Sequence, residues 1–104
     1  MTVQNLIDEK GFKVLSLPEP DREIEGCYIG DLLSWVMGRA KSGNAWITIM
    51  SNINIVAVAS LADVSCIILA EGVTLDENVI KTASDKGVNV LSSDKAAYET
   101  AIDL

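Results

Sequence analysis

Apolar residues follow two rhythms along this chain, a helical one and a strand-like one, and the two alternate from end to end. Val3, Leu6 and Ile7 sit at helical spacing, and Gly11 follows Lys10 where a C-terminal cap belongs, which predicts a first helix closed by that glycine. A short strand over Lys13–Leu17 comes next. The two prolines of Pro18-Glu19-Pro20-Asp21 lack backbone donors and push their neighbours extended, so the chain crosses the surface there. Gly26-Cys27-Tyr28-Ile29-Gly30 reads as a brief strand, and Asp31 stands where it would cap a helix running from Leu32 to about Arg39. Leu32, Leu33, Trp35, Val36 and Met37 make that helix apolar on more than one face. Gly38 and Lys41-Ser42-Gly43-Asn44 end it, and Ala45–Ile49 is a strand of aromatic and β-branched character.

In the second half, Ser51-Asn52-Ile53-Asn54 offers several N-cap candidates ahead of Ile55–Leu61, whose length and alanines outweigh its β-branched residues in favour of a buried helix. Ser65–Leu69 is a continuous apolar run of strand length, the pattern of a strand covered on both faces. Asp76-Glu77 opens a helix that Lys86-Gly87 closes, and Val88–Leu91 is a strand. Ser93-Asp94 starts a last helix with Ala97, Tyr98, Ala101 and Ile102 as its apolar stripe. Alternation of this kind predicts a three-layer α/β/α fold, with helices packed on a central, mainly parallel sheet of about five short strands. The segment Glu9–Ser16 echoes Asp85–Ser92, which is read as convergence on one helix-Gly-strand unit, with duplication as the alternative.

Composition narrows the class. With 104 residues, 49% of them apolar and 22% charged, the expectation is a single folded domain over residues 1–104. A net charge of −7 opposes binding to DNA, RNA or anionic membranes, which demand basic surfaces. The apolar run Ile53–Leu69 is interrupted by Asn54 and Asp63, and the first residues lack the pattern of a signal peptide, so a cytoplasmic protein is expected. In that compartment Cys27 and Cys66, each in an apolar strand-like run, read as buried reduced thiols.

The chain contains no histidine, which removes the usual general base and metal ligand. Ser34 and Ser60 therefore have no partner for nucleophilic chemistry. Gly38-Arg39-Ala40-Lys41-Ser42-Gly43 begins like a phosphate-binding P-loop, but Asn44-Ala45 replaces the required Lys and Ser/Thr, and the segment closes a helix instead of opening one. Glu19, Asp21, Glu23 and Glu25 read as a solvated loop ahead of a cation site. Trp35 and Trp46 read as core or dimer packing ahead of a ligand-stacking surface, and no cofactor is expected. In open α/β sheets ligands bind beyond the carboxyl ends of the strands, near free amides of helix N-termini. The candidate binding residues are accordingly Gly30, Asp31, Ser51, Asn52, Glu71, Gly72, Ser92 and Ser93, each of which also reads as an ordinary capping or turn residue.

From Asn54 onward the order of segments is recognisable: Asn54–Leu61, then Cys66-Ile67-Ile68-Leu69-Ala70-Glu71-Gly72, then Gly87–Ser93 and Ala97–Ala101. It resembles the DRTGG domain, a regulatory module found beside CBS domains and in phosphotransacetylases and inorganic pyrophosphatases, and similar to the N-terminal domain of HPr kinase/phosphorylase. Tyr28–Met37 looks like the corresponding stretch of short stand-alone members. The signature Thr-Gly-Gly falls on Ala70-Glu71-Gly72 and the signature Asp-Arg on Ser51-Asn52, so Gly72 alone of these is retained; Asp21-Arg22 lies too early in the chain to serve. The resemblance implies an α/β/α fold, a homodimer and a regulatory role, without the P-loop domain that carries kinase activity in HPr kinase. The resulting expectation is a non-catalytic sensory module that binds a small anionic metabolite or nucleotide and signals through a dimer or a partner protein. The alternative is a ligand-free adaptor docking on a metabolic or redox enzyme through an apolar face containing Trp35 and Met37.

Overall fold

The computed structural model describes residues 1–104. The elements are α1 (Val3–Lys10), β1 (Lys13–Ser16), β2 (Cys27–Ile29), α2 (Leu33–Arg39), β3 (Ala45–Thr48), α3 (Asn54–Ala62), β4 (Cys66–Leu69), α4 (Glu77–Asp85), β5 (Val90–Ser92) and α5 (Ala97–Ile102). One sheet runs in the order β1-β5-β4-β3-β2. Its last four strands are parallel, and β1 closes the other edge antiparallel to β5. Helices cover both faces, as the alternating pattern predicted.

The pleat of the sheet divides the core in two. Trp46, Ile67, Leu69 and Val90 face α2, α3 and α4, meeting Val36, Ile55, Val56, Ala59, Val79 and Ala83. Ala45, Ile47, Cys66, Ile68 and Leu91 face α1 and α5, meeting Val3 and Leu6, with Ala97 and Ala101 packed at the margin. β3 and β4 are buried on both faces, which explains their unbroken apolar runs. The β-branched residues of α3 do not unseat the helix, because Ile55, Val56 and Val58 are buried where the sheet needs a thick apolar lid.

Local signals account for the ends of the elements. Thr2 and Asn5 form a reciprocal capping box at the start of α1, and Gly11 ends that helix in the left-handed conformation at φ 73°. Two further amides of the first turn are satisfied from the Pro loop, Val3 donating to the Arg22 carbonyl (3.0 Å) and Gln4 to that of Pro20 (2.9 Å). The loop is held in turn by Asn89, which is buried and bridges Glu19 and Ser65.

Several expectations are corrected. Asp31 does not cap α2: Leu32 holds the N-cap position, without a side-chain bond, and the Asp31 carboxylate turns to the end of β3. Ser93-Asp94 does not open α5, which starts at Ala97 because the Ser93 hydroxyl is used in a turn that accepts from the Lys95 amide (3.1 Å). The buried side of α5 is Ala97, Thr100 and Ala101, whereas Tyr98 and Ile102 are exposed. Gly38 lies within α2 and does not end it. Cys66 is buried, but Cys27 is exposed, because β2 is an edge strand and an open depression lies between Cys27 and Met1, Ile24, Ala101 and Leu104. Gly11 and Gly87, the glycines of the echoed segments, take the same left-handed turn at φ 73° and 74°, and the strands that follow them lie side by side.

Candidate functional site

The carboxyl ends of β2, β3, β4 and β5 lie along one edge of the sheet, which carries all eight candidate binding residues. They divide into three groups. Gly30 and Asp31 join the end of β3: the Gly30 carbonyl accepts from Trp46 Nε1 (2.8 Å), and Asp31 Oδ1 accepts from Thr48 Oγ1 (2.8 Å) and the Ile49 amide (3.0 Å). Ser51 and Asn52 are exposed ahead of α3, where Asn52 Oδ1 accepts from the Asn54 amide (2.9 Å), so the hydrogen bonds of Asn52 stay within that turn.

Glu71, Gly72, Ser92 and Ser93 form the third and tightest group. The Glu71 amide donates to the Lys95 carbonyl (2.8 Å) and the Gly72 amide to the Ser93 carbonyl (2.9 Å), stitching the two loops together. Both Glu71 and Gly72 are left-handed, at φ 62° and 70°. Glycine adopts that conformation freely and glutamate pays for it in crowding at Cβ, so the position where the resemblance places a glycine is one that favours it. Ser92 and Ser93 are buried, with the Ser93 hydroxyl 2.9 Å from Thr100 Oγ1. Since the amides of Glu71 and Gly72 are already committed, free donors for a ligand must come from elsewhere.

The nearest side-chain cations belong to residues that the sequence pattern did not single out. A depression of about 140 Å³ is lined by Lys10, Gly11, Phe12, Lys13, Ser92, Ser93, Asp94 and Lys95. Three of the chain's eight basic residues thus surround one small hollow in a protein of charge −7. Lys13 lies 3.5 Å from Asp94 and Lys95 2.8 Å from Asp103, while Lys10 forms no ion pair. The hollow is smaller than the ~300 Å³ at which pockets begin to enclose a whole ligand, and suits one anionic group of a larger molecule. A larger depression, about 390 Å³, runs between α3 and the end of α4, with apolar walls from Ile53, Val56, Ala57 and Leu61 and polar ones from Asn54, Ser60, Thr82 and Lys86. Lys86 is its one cation, against three in the lysine cluster.

The remaining chemistry is sparse. Burial pushes the Cys66 thiol up to about 12, and partial burial raises that of Cys27 as well, which makes both poor nucleophiles at neutral pH. Asp63 is held below the usual carboxylate range by hydrogen bonds from Ser42 and then Arg22, whose Nη2 lies 2.8 Å from Asp63 Oδ1. This cluster ties the Pro loop to the end of α3. No three acidic or thiol side chains converge as metal ligands would. Ser34 and Ser60 are both exposed. Trp46 is fully buried, whereas Trp35 and Met37 are 51% and 43% exposed with Leu32 beside them in sequence at 57%, and the Arg39 guanidinium stacks 3.7 Å from the centre of the Trp35 ring. No helix is long and apolar enough to cross a membrane.

With this geometry in place, comparison with known proteins gives a consistent family. The DRTGG domain model matches residues 21–104. Among solved structures, the CBS and DRTGG domains of the regulatory region of Clostridium perfringens pyrophosphatase, complexed with the activator diadenosine tetraphosphate, superpose with a TM-score of 0.74 at 15% sequence identity. The match covers 97% of this chain and 44% of that one, so the present chain spans less than half of the regulatory region it resembles. No curated protein matches the chain.

Proposed function

This chain belongs to the DRTGG domain family, and on that premise we propose that it is a non-catalytic regulatory module of the cytoplasm whose strand-end edge binds a small anionic metabolite or nucleotide. The observation that carries the reading is the cluster of Lys10, Lys13 and Lys95 against Ser92, Ser93 and Asp94. Cations gathered at one point of an acidic chain favour a phosphoryl or carboxylate group there, and attract it from a distance. The structurally similar pyrophosphatase region carries a polyphosphate activator, which is the class of ligand such a cluster suits. An anionic group seated in the hollow leaves the rest of the ligand to extend along the edge toward Glu71, Gly72, Ser51, Asn52, Gly30 and Asp31. The bound state then passes to a second copy or a partner enzyme through the apolar side of α2, where Trp35 and Met37 are exposed.

The test is a thermal-shift and calorimetry series with inorganic phosphate, adenine and guanine nucleotides and diadenosine tetraphosphate. A ligand at a hundred times its Kd stabilises by roughly 2.7 kcal/mol, a rise on the order of 10 °C or more in a chain of this size. Replacing Lys10 and Lys13 by Gln abolishes most of that rise without unfolding the protein. A flat response across the series, or an undiminished rise in the double variant, overturns this site.

The exposed Leu32, Trp35 and Met37 also favour a second reading, a ligand-free adaptor that docks on a metabolic or redox enzyme. It is supported if no ligand binds and a folded Trp35→Ala variant loses capture of an enzyme that the unchanged protein retains.

A further inference from the structure

The outer face of α3 is notched. Ile53 and Leu61 stand about two helical turns apart and are 47% and 73% exposed, while Ala57 and Ser60 between them are small. Two large side chains flanking two small ones leave the depression of about 390 Å³ beside α4, with the buried Val56 at its base. That volume falls in the range of roughly 300–1,000 Å³ in which pockets hold small molecules. A single exposed leucine means little, but large aliphatic side chains on the rim of an apolar hollow form the kind of patch that marks a binding site.

One end of this slot is polar. α3 and α4 connect successive parallel strands on the same face of the sheet, so they run in the same direction and their last turns lie together. There Ser60 and Lys86 line both the apolar slot and a smaller hollow of about 130 Å³ that reaches Arg22 and Asp63. Lys86 forms no ion pair, and its Nζ makes no hydrogen bond. The ordinary task of a lysine at a helix end, bonding the last carbonyls, is already done by amides. The Asp63 and Val64 amides serve Ala59 and Ser60, and those of Lys86, Gly87 and Val88 serve Thr82, Ser84 and Ala83. Neighbouring carboxylates are engaged too, Asp63 with Arg22 and Ser42 and Asp85 with Lys81. No acidic residue lines the slot itself, so the Lys86 ammonium is an uncommitted cation beside the Ser60 hydroxyl.

We propose that the slot between α3 and α4 binds a free monocarboxylate with a slender apolar body, the chemistry of a medium-chain fatty acid. The distance along α3 from Ile53 to Ser60 sets that body at about 10 Å. The carboxylate accepts from Lys86 Nζ and Ser60 Oγ, and the apolar body lies over Ala57, covering Ile53, Val56 and Leu61. One cation at the end of an apolar slot suits a single negative charge, whereas a polyphosphate is better served by the three lysines of the strand-end hollow. A second copy fits poorly. A two-fold contact would set the slot against itself, hollow to hollow, and would leave Lys86 facing a surface without a carboxylate. The slot shares no residue with the strand-end hollow and does not depend on the ligand reading there.

The probe is octanoate, with butyrate, octanol and octylammonium as controls. Each is titrated into the full chain and followed by NMR at the methyls of Ile53, Val56 and Leu61 and the amides of Ser60 and Lys86. Octanoate should give saturable shifts at these positions and bind at least about tenfold tighter than butyrate, which lacks the body, and than octylammonium, which carries the wrong charge. Ala57→Leu, at an exposed helical position that leucine suits, fills the notch and weakens octanoate about tenfold. Lys86→Gln, also exposed, removes the preference for octanoate over octanol and keeps that for octanoate over butyrate. Replacing Lys10 and Lys13 by Gln leaves octanoate binding unchanged, which separates this slot from the strand-end hollow. No saturation at millimolar octanoate, or shifts centred on Lys10 and Lys13, overturns the proposal. Equal binding of octanoate, octanol and octylammonium marks an unselective apolar surface and overturns it as well. Shifts of the Ile53 and Leu61 methyls that grow with protein concentration alone assign the slot to a second copy, with the same consequence.

Discussion

Replacing Asn89 should cost more stability than any single exposed residue of the chain. Its side chain makes three hydrogen bonds, donating to the Glu19 carbonyl (2.7 Å) and the Ser65 carbonyl (2.9 Å) and accepting from the Glu19 amide (2.9 Å). Asn89 and Ser65 are each 2% exposed, while Glu19 is open to solvent. In Asn89→Ala, water can replace the two bonds at Glu19, at a loss of roughly 0.5 kcal/mol each, but the Ser65 carbonyl loses a buried partner at about 1–3 kcal/mol. The expected loss is roughly 2–4 kcal/mol out of a total near 5–15 kcal/mol for a chain of this length, or a fall of about 10–25 °C in Tm. Asn89→Asp keeps the acceptor but sets a carboxylate against two carbonyl oxygens, so it should be worse than Ala at pH 7 and recover toward it in acid, where the carboxyl is protonated. Urea denaturation followed by circular dichroism measures both, with the slope of the transition unchanged if the unfolded states are alike. A loss below about 1 kcal/mol for Ala, or an Asp variant as stable as the parent at pH 7, would refute the view that this side chain pins the Pro loop to the sheet.

Other outcomes follow from local geometry. Because the folded-state pKa of Asp63 is depressed, its contribution is present above the ordinary carboxylate pKa and is lost as pH falls through the folded value. Asp63→Asn keeps the left-handed backbone, so it should be less stable than the parent by about 0.2–1 kcal/mol at pH 7, with the gap closing below about pH 4 and shrinking in high salt. A gap that persists at pH 2 would exclude the ion pair as its cause. A thiol reagent should label Cys27 alone in the native protein and reach Cys66 only on unfolding; native labelling of both would contradict the burial of β4. Glu71→Gly should relieve the left-handed strain and stabilise by up to about 1 kcal/mol, the gain reduced by the greater freedom of glycine in the unfolded chain. Loss of stability in that variant would show that the Glu71 side chain matters more than its backbone.

The sequence pattern carried the order and type of every element, because each has either a one-sided helical stripe or a run of apolar residues bounded by turns. Boundaries failed where a polar side chain had a more distant partner than its neighbours. Asp31 reads as a helix cap only if the end of β3 is out of reach; once Thr48 and Ile49 are adjacent, they take its carboxylate. Ser93 reads as the start of α5 until Thr100 and the Lys95 amide take its hydroxyl. Tyr98 and Ile102 fit a helical stripe as well as Thr100 does, and the sheet decides in favour of Thr100, whose hydroxyl has a buried partner in Ser93.

The strand-end edge was legible because its location follows from the fold class, but the lysine cluster was not, because it depends on how one edge strand runs. Lys10 and Lys13 stand about eighty positions before Ser92 and Lys95 in the chain, and alternation of helices and strands suggests parallel neighbours throughout. The two-residue turn Gly11-Phe12 makes β1 double back on α1, and β1 then pairs antiparallel with β5, setting Lys13 opposite Ser92. A parallel β1 in the same place would carry Lys13 to the opposite end of the strand, away from Ser92 and Lys95. The direction of a single four-residue strand therefore decides whether this edge has a cationic site. The echo between Glu9–Ser16 and Asp85–Ser92 contained the residues concerned, yet similarity of two segments does not reveal that they are neighbours of opposite sense.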